Sequence, residues 1–174
     1  MADVPSSVVL KRDRDLDGRA HQIWYRRGIF AVFLVIPVLA LFNVFGQRPE
    51  TSQTTAAGAT LKVYAPSRVR GGLIYEARFT ITAHRDLKEA ALVLDPGWLE
   101  GMTLNTIEPS PIGEGSENGR LRLELGHIPA GQVYRLFMDF QVNPTNIGHR
   151  SQNVEFDDGD TKLFEIERSI TVFP

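Results

Sequence analysis

The sequence predicts an all-β domain, an antiparallel sandwich of seven to eight strands, preceded by one N-terminal transmembrane helix. Three observations carry this. An uncharged apolar run fills residues 28–45, with Asn43 its only hydrogen-bonding side chain. From Leu61 onward apolar residues recur with period two, the mark of half-buried strands. Clusters of Gly, Pro, Asn and Asp separate those segments, at the spacing of sandwich turns.

The helix comes first. Eighteen residues at ~1.5 Å each span about 27 Å, close to a bilayer's hydrocarbon core. The expected span is 28–46, with the lipid bilayer as its partner. Arg26 and Arg27 abut it, and Lys11, Arg12, Arg14 and Arg19 lie upstream, whereas 47–67 holds only Arg48 and Lys62. Basic residues beside a span stay cytoplasmic, so 1–27 is expected inside the cell membrane and the C-terminal domain outside. Trp24 and Tyr25 occupy an interfacial position, so Trp24, Tyr25, Arg26 and Arg27 form the membrane anchor. A cleaved signal peptide would have an apolar core of ~7–15 residues and a nearby small-x-small site. Ala57-Gly58-Ala59 lies too far away, and the absence of cysteine removes a lipoprotein anchor. The run therefore reads as an uncleaved signal-anchor. Pro37 invites a kink, and Asn43 offers a polar contact for plain anchoring or helix–helix association.

The tail and the connecting segment are polar. Asp13, Asp15, Asp17 and Gly18 resemble the start of a calcium loop, but Trp24 stands where its bidentate Glu belongs. A solvated or headgroup-facing tail is the expectation. Residues 47–60 are small and polar without apolar rhythm, and read as a flexible linker. The exported domain is 61–174.

Within it the longest alternations are 73–83, 121–125, 134–142 and 164–172, the last interrupted by Arg168. Shorter candidates are 61–65, 91–94, 102–107 and 153–156. The turns fall at 70–72, 95–97, 113–119, 129–131, 143–146 and 157–160. The order of Leu73-Ile-Tyr-Glu-Ala-Arg-Phe-Thr-Ile81, Leu92-Val-Leu-Asp-Pro-Gly-Trp98 and Leu121-Arg-Leu-Glu-Leu-Gly-His-Ile-Pro-Ala-Gly131 resembles the Ig-like conserved-repeat and cell-adhesion-related domains of bacterial surface proteins. The resemblance covers 61–174. It implies an Ig-like sandwich used as a binding or spacer module rather than an enzyme, and carries over no functional residue.

Composition narrows the chemistry. The formal charge of −2 leaves no nucleic-acid footprint. Zero cysteines leave no disulfide, and arginine exceeds lysine 15 to 4, a hint of a GC-rich bacterial genome. No Gly-x-Ser-x-Gly elbow occurs, and Asn118 spoils the glycine pattern of 113–119 as a dinucleotide loop. His84, His127 and His149 lack metal-ligand spacing. Asp157, Asp158 and Asp160 suit a hairpin turn before a calcium site. No catalytic residue, cofactor or metal is expected.

Eight antiparallel strands starting at Leu61 would gather alternate loops at opposite ends. Loops 68–72, 97–101, 126–131 and 157–160 would share the end far from the membrane, and 85–89, 110–119 and 143–152 the near end. The far end would bring together Arg70, Trp98, Leu99, His127 and Asp158 as a partner-binding apex, Trp and Arg being typical hot-spot residues. The competing expectation is that Trp98 only lids the core. The functional expectation is a non-catalytic accessory or interaction protein, partner of a larger membrane or envelope assembly. The alternative is an independent module for envelope polysaccharide or peptide.

Overall fold

The computed structural model describes residues 20–44 and 46–174. The acidic run at Asp13, Asp15 and Asp17, the bases Lys11, Arg12, Arg14 and Arg19, and Phe45 lie outside the described residues. The chain divides into two compact units, Met1–Val44 and Phe45–Pro174.

The first unit holds helix α1, Ala20–Leu41. It starts inside the basic flank and ends five residues before the expected end of the span. Asn43 causes the early stop. It adopts φ 55°, and Asn43 N–H and Val44 N–H donate to the carbonyls of Ala40 (2.9 Å) and Leu39 (3.1 Å). This is a left-handed helix cap that satisfies the last carbonyls. The apolar helical segment His21–Leu41 is long enough to cross a membrane, at about 31 Å for its length.

The second unit is a β-sandwich of twelve strands: β1 (Arg48–Ala56), β2 (Ala59–Arg70), β3 (Ile74–Ala83), β4 (Leu87–Leu94), β5 (Met102–Glu108), β6 (Gly113–Glu117), β7 (Arg120–Ile128), β8 (Val133–Val142), β9 (Gly148–Ser151), β10 (Val154–Asp158), β11 (Thr161–Ile166) and β12 (Ser169–Phe173). One sheet runs β5-β8-β3-β2-β12-β9, with β1 also paired to β2; the other runs β11-β10-β4-β7-β6. All pairs are antiparallel except β12 with β2. The alternations place Leu61, Val63, Tyr75, Ala77, Phe79, Ile81, Leu136, Met138 and Phe140 inward from the first sheet. Leu92, Leu94, Leu123, Val154, Phe156 and Ile166 meet them from the second.

Three strands were expected as irregular chain, among them β9, which lies inside the expected loop 143–152 and pairs with β12. The supposed linker 47–60 is mostly β1, whose nine residues pair in register with β2. Its period of two is written in Thr, Ser, Gln and Ala. Ser52, Thr54 and Ala56 turn inward and are half-buried, while Thr51, Gln53 and Thr55 face solvent. Threonine favours strands without announcing itself as apolar. The hairpin closes at Ala57-Gly58 with φ 48° and 81°, two positive values in succession as a two-residue turn needs. The third is β6, an acidic Gly-rich edge strand paired to β7 across Asn118-Gly119 at φ 52° and 79°. The domain therefore begins at β1, not at Leu61.

β1 also lies against β11 of the other sheet, closing one side of the sandwich. A chain starting at Thr60, which lacks β1, should melt at least about 4 °C below one starting at Gly46, corresponding to roughly 1 kcal/mol. Equal melting temperatures would make β1 a dispensable appendage.

Candidate interaction surfaces

The expected apex does not form. The missed strand β6 reverses the direction of every strand after it. Arg70 and the turn carrying Trp98 and Leu99 lie at one end of the sandwich, where Gly72 N–H donates to Val142 O and Asn143 N–H to Gly101 O. His127 and Asp158 lie at the other. His127 Nε2 sits 3.1 Å from Asp86 Oδ2, and Asp158 Oδ1 accepts from the Lys88 and Glu89 amides at 2.8 and 3.0 Å. Asp158 thereby holds the irregular start of β4, and its other oxygen faces Arg85 at 3.4 Å. Asp157 points instead at Arg122, at 2.8 Å, so neighbouring acids of 157–160 serve different partners. Arg70 is exposed, its Nε donating to Pro174 O at 3.2 Å.

Trp98 is fully buried. A 3₁₀ turn at Pro96–Trp98 folds it between the sheets, with its ring 5.4 Å from Phe79 and 5.6 Å from Phe140. The Nε1–H donates to the carbonyls of Gln152 (3.1 Å) and Asn153 (3.3 Å), and the Arg168 guanidinium lies over the ring at 5.2 Å. Leu99 next to it is partly exposed.

On α1, Trp24, Tyr25, Arg26 and Arg27 are exposed, with the Arg27 guanidinium 5.2 Å from the Trp24 ring centre. The remaining histidines bond singly, His84 to Thr60 at 2.8 Å and His149 to Thr171 at 3.2 Å.

The outward faces of the two sheets differ in charge organisation. On the β4 sheet, Ala91 and Val93 point outward yet are buried. They lie under ion pairs from neighbouring strands: Arg120–Glu155 at 2.8 Å, Lys162–Glu155 at 2.9 Å, Lys162–Glu165 at 2.7 Å and Arg122 with Glu117 at 3.0 Å. Long side chains cover the small apolar ones with their stems. Burial pushes Glu155 up, but hydrogen bonds from Arg120 and Lys162 outweigh it and hold its carboxyl below the ordinary value. Burial dominates at Asp157 and, with Glu155 and Glu117 nearby, leaves it raised despite Arg122.

The face of the β2 sheet carries a cross-strand row that sequence reasoning did not single out. Tyr64 stands opposite Arg78, and Arg78 opposite Phe137. The guanidinium lies 5.6 Å from one ring centre and 5.2 Å from the other, and donates to Glu76 at 2.7 Å. The next row sets Lys62 opposite Thr80 and Thr80 opposite Arg135. The signal was the polar half of each alternation, which identifies a surface only once the pairing register is known.

No protein-family model matches the chain, and no curated protein matches it in sequence. Among solved structures it is similar to CaCohA2 from Clostridium acetobutylicum, a cohesin domain, at 13% identity and a TM-score of 0.41, covering 74% of this chain and 92% of that one. It is also similar to a beta-glucosidase from Listeria innocua, at 9% identity and a TM-score of 0.30, covering 74% of this chain and 16% of that one.

Two outcomes follow from these contacts. Trp98→Ala should cost about 3–5 kcal/mol in urea unfolding, and Trp98→Phe about 1–2 kcal/mol, through two carbonyls left without their donor. Near-neutral results would return Trp98 to a surface role. The carboxylates should respond oppositely to pH. Glu155, lowered by folding, contributes stability above its unfolded value of 4.5 that is lost as pH falls through the folded one. Asp157, raised by folding, contributes below its unfolded value of 3.8 and loses this as pH rises. Glu155→Gln should therefore destabilise more at pH 7 than at pH 3, and Asp157→Asn less.

Proposed function

We infer that the chain is a membrane-anchored, non-catalytic interaction protein that displays its sandwich outside the membrane as partner of a larger membrane or envelope assembly. The observation that carries this is the pairing, in one chain, of an apolar helix with none of its apolar span buried and a sandwich with a complete core of its own. A helix exposed on all sides needs an apolar solvent or a partner. Arg26 and Arg27 on its N-terminal side favour an inward N-terminus, with Trp24 and Tyr25 at the interface. The carboxylates and histidines of the sandwich described above are engaged in structural bonds, which favours binding over catalysis.

Protease added to intact protoplasts should release a fragment that begins within 42–48 and retains β1, because the paired hairpin resists cleavage. Photocrosslinkers placed in α1 and in the sandwich of the full-length protein should then recover a membrane or envelope partner. A protected sandwich, or a C-terminal reporter active only in the cytoplasm, overturns the topology. Recovery of no partner by either crosslinker overturns the interaction role.

A further inference from the structure

The outward face of the β2 sheet is cationic on a domain that is not. From Arg48 onward the chain has 13 Lys and Arg against 17 Asp and Glu. Register and alternating burial put Arg48, Lys62, Arg68, Arg78 and Arg135 on this one face. Its acids, Glu76, Glu108 and Asp139, sit on β3, β5 and β8, and Glu76 is already bound by Arg78. The outward positions of β1 and β2 hold no acid. Arg48 stands directly opposite Arg68, a like-charge pairing that destabilises the sheet by itself. Among the described residues, Lys62 and Arg135 have no ion-pair partner. Cations left this way cost stability and stay available for an external anion.

The shape of the face narrows the partner. A shallow depression of about 480 Å³ lies over Lys62, Tyr64, Arg78, Thr80 and Arg135. It lies where β2, β3 and β8 are paired to their neighbours, so strand addition has no free edge there. It offers one fixed cation, Arg78, the exposed Lys62 and Arg135, hydroxyls from Thr51, Thr80 and Tyr64, and the partly exposed rings of Tyr64 and Phe137. The backbones of Lys62 and Arg135 stand two strands apart, about 10 Å, with Thr80 between them. We propose that this face binds an acidic polysaccharide, with Lys62, Arg78 and Arg135 on successive carboxylates and the threonine hydroxyls on the sugar hydroxyls.

The proposal rests on reading the chain as an anchored interaction module, and its test keeps the two apart. Full-length protein in neutral detergent micelles is titrated with a decameric oligogalacturonate, a neutral glucan of equal length, polyglutamate of equal charge and anionic lipid vesicles. Oligogalacturonate should bind best, and more weakly as salt rises. Lys62→Glu with Arg135→Glu, both exposed and unpaired, should weaken binding about tenfold or more with an unchanged melting curve. Arg78→Lys, which keeps the charge but loses the planar fork, should weaken it several-fold. Lys162→Gln on the opposite sheet should leave it unchanged. No binding, equal binding of polyglutamate, preference for vesicles, or equal loss with Lys162→Gln overturns the proposal. If it falls while the crosslinked partner persists, the interaction module stands without this surface; if neither appears, both fall.

Discussion

The sandwich depends on what happens around the Trp98 ring. Two connections carry the chain between sheets on the C-terminal side, one at Gln152 and Asn153 between β9 and β10, the other at Arg168 between β11 and β12. Both end on this ring, the first through two carbonyls accepting its N–H, the second through a guanidinium over its face. Arg168 also donates to Ala65 O at 3.2 Å, and its amide donates to Asn153 Oδ1 at 3.0 Å. The turn that delivers Trp98 is constrained in turn: a Cβ at Gly97 would stand 2.0 Å from the Ser151 carbonyl oxygen. Only glycine lets β9 approach this closely. The aromatic stack of Tyr75, Phe140, Trp98 and Phe79 then links the crossings to the centre of the core.

This explains why a tryptophan flanked by Pro, Gly and an exposed leucine is a core residue rather than a binding one. Polar crossings between sheets must satisfy their backbone carbonyls away from water. An indole supplies a large apolar body with one donor at its rim, which is what such a junction requires. A leucine could fill the space but would leave the carbonyls of Gln152 and Asn153 without their donor.

The legibility of the fold followed the distribution of apolar residues. Alternation located β3, β7 and β8 directly, because one face of each is buried and the other wet. It left β1, β6 and β9 unread; the inward positions of β1 and β6 hold Glu, Ser, Thr or Ala rather than large apolar residues. Asn118-Gly119 is a two-residue hairpin signal inside a stretch read as a loop, whereas Ala57-Gly58 carries no such signal at its first position and turns with Ala57 at φ 48°. Missing β6 had a disproportionate effect. Strand direction alternates along an antiparallel chain, so one lost strand moved His127 and Asp158 to the wrong end while leaving Arg70, Trp98 and Leu99 together. The helix was legible as an apolar run, but its end was set by the left-handed conformation of Asn43, a property of backbone geometry rather than hydropathy.

The two outward faces show how one architecture separates stability from recognition. Over β4, β7 and β10 the charges are paired across strands and shield Ala91 and Val93, so altering one leaves its partner half-buried and unmatched. Over β2, β3 and β8 the cations stand on a core already closed by Phe79, Phe140 and Trp98, and among the described residues Lys62, Arg68 and Arg135 have no ion-pair partner. Arg78 alone is fixed, by two rings and Glu76, which sets the position of a charge without neutralising the face. Rigid support beneath and uncompensated charge above is the arrangement that favours an external anion. The opposite face, with its charges spent internally, offers no such gain. The sheet over β2, β3 and β8 is the one that can lose or reverse a surface charge without losing its fold.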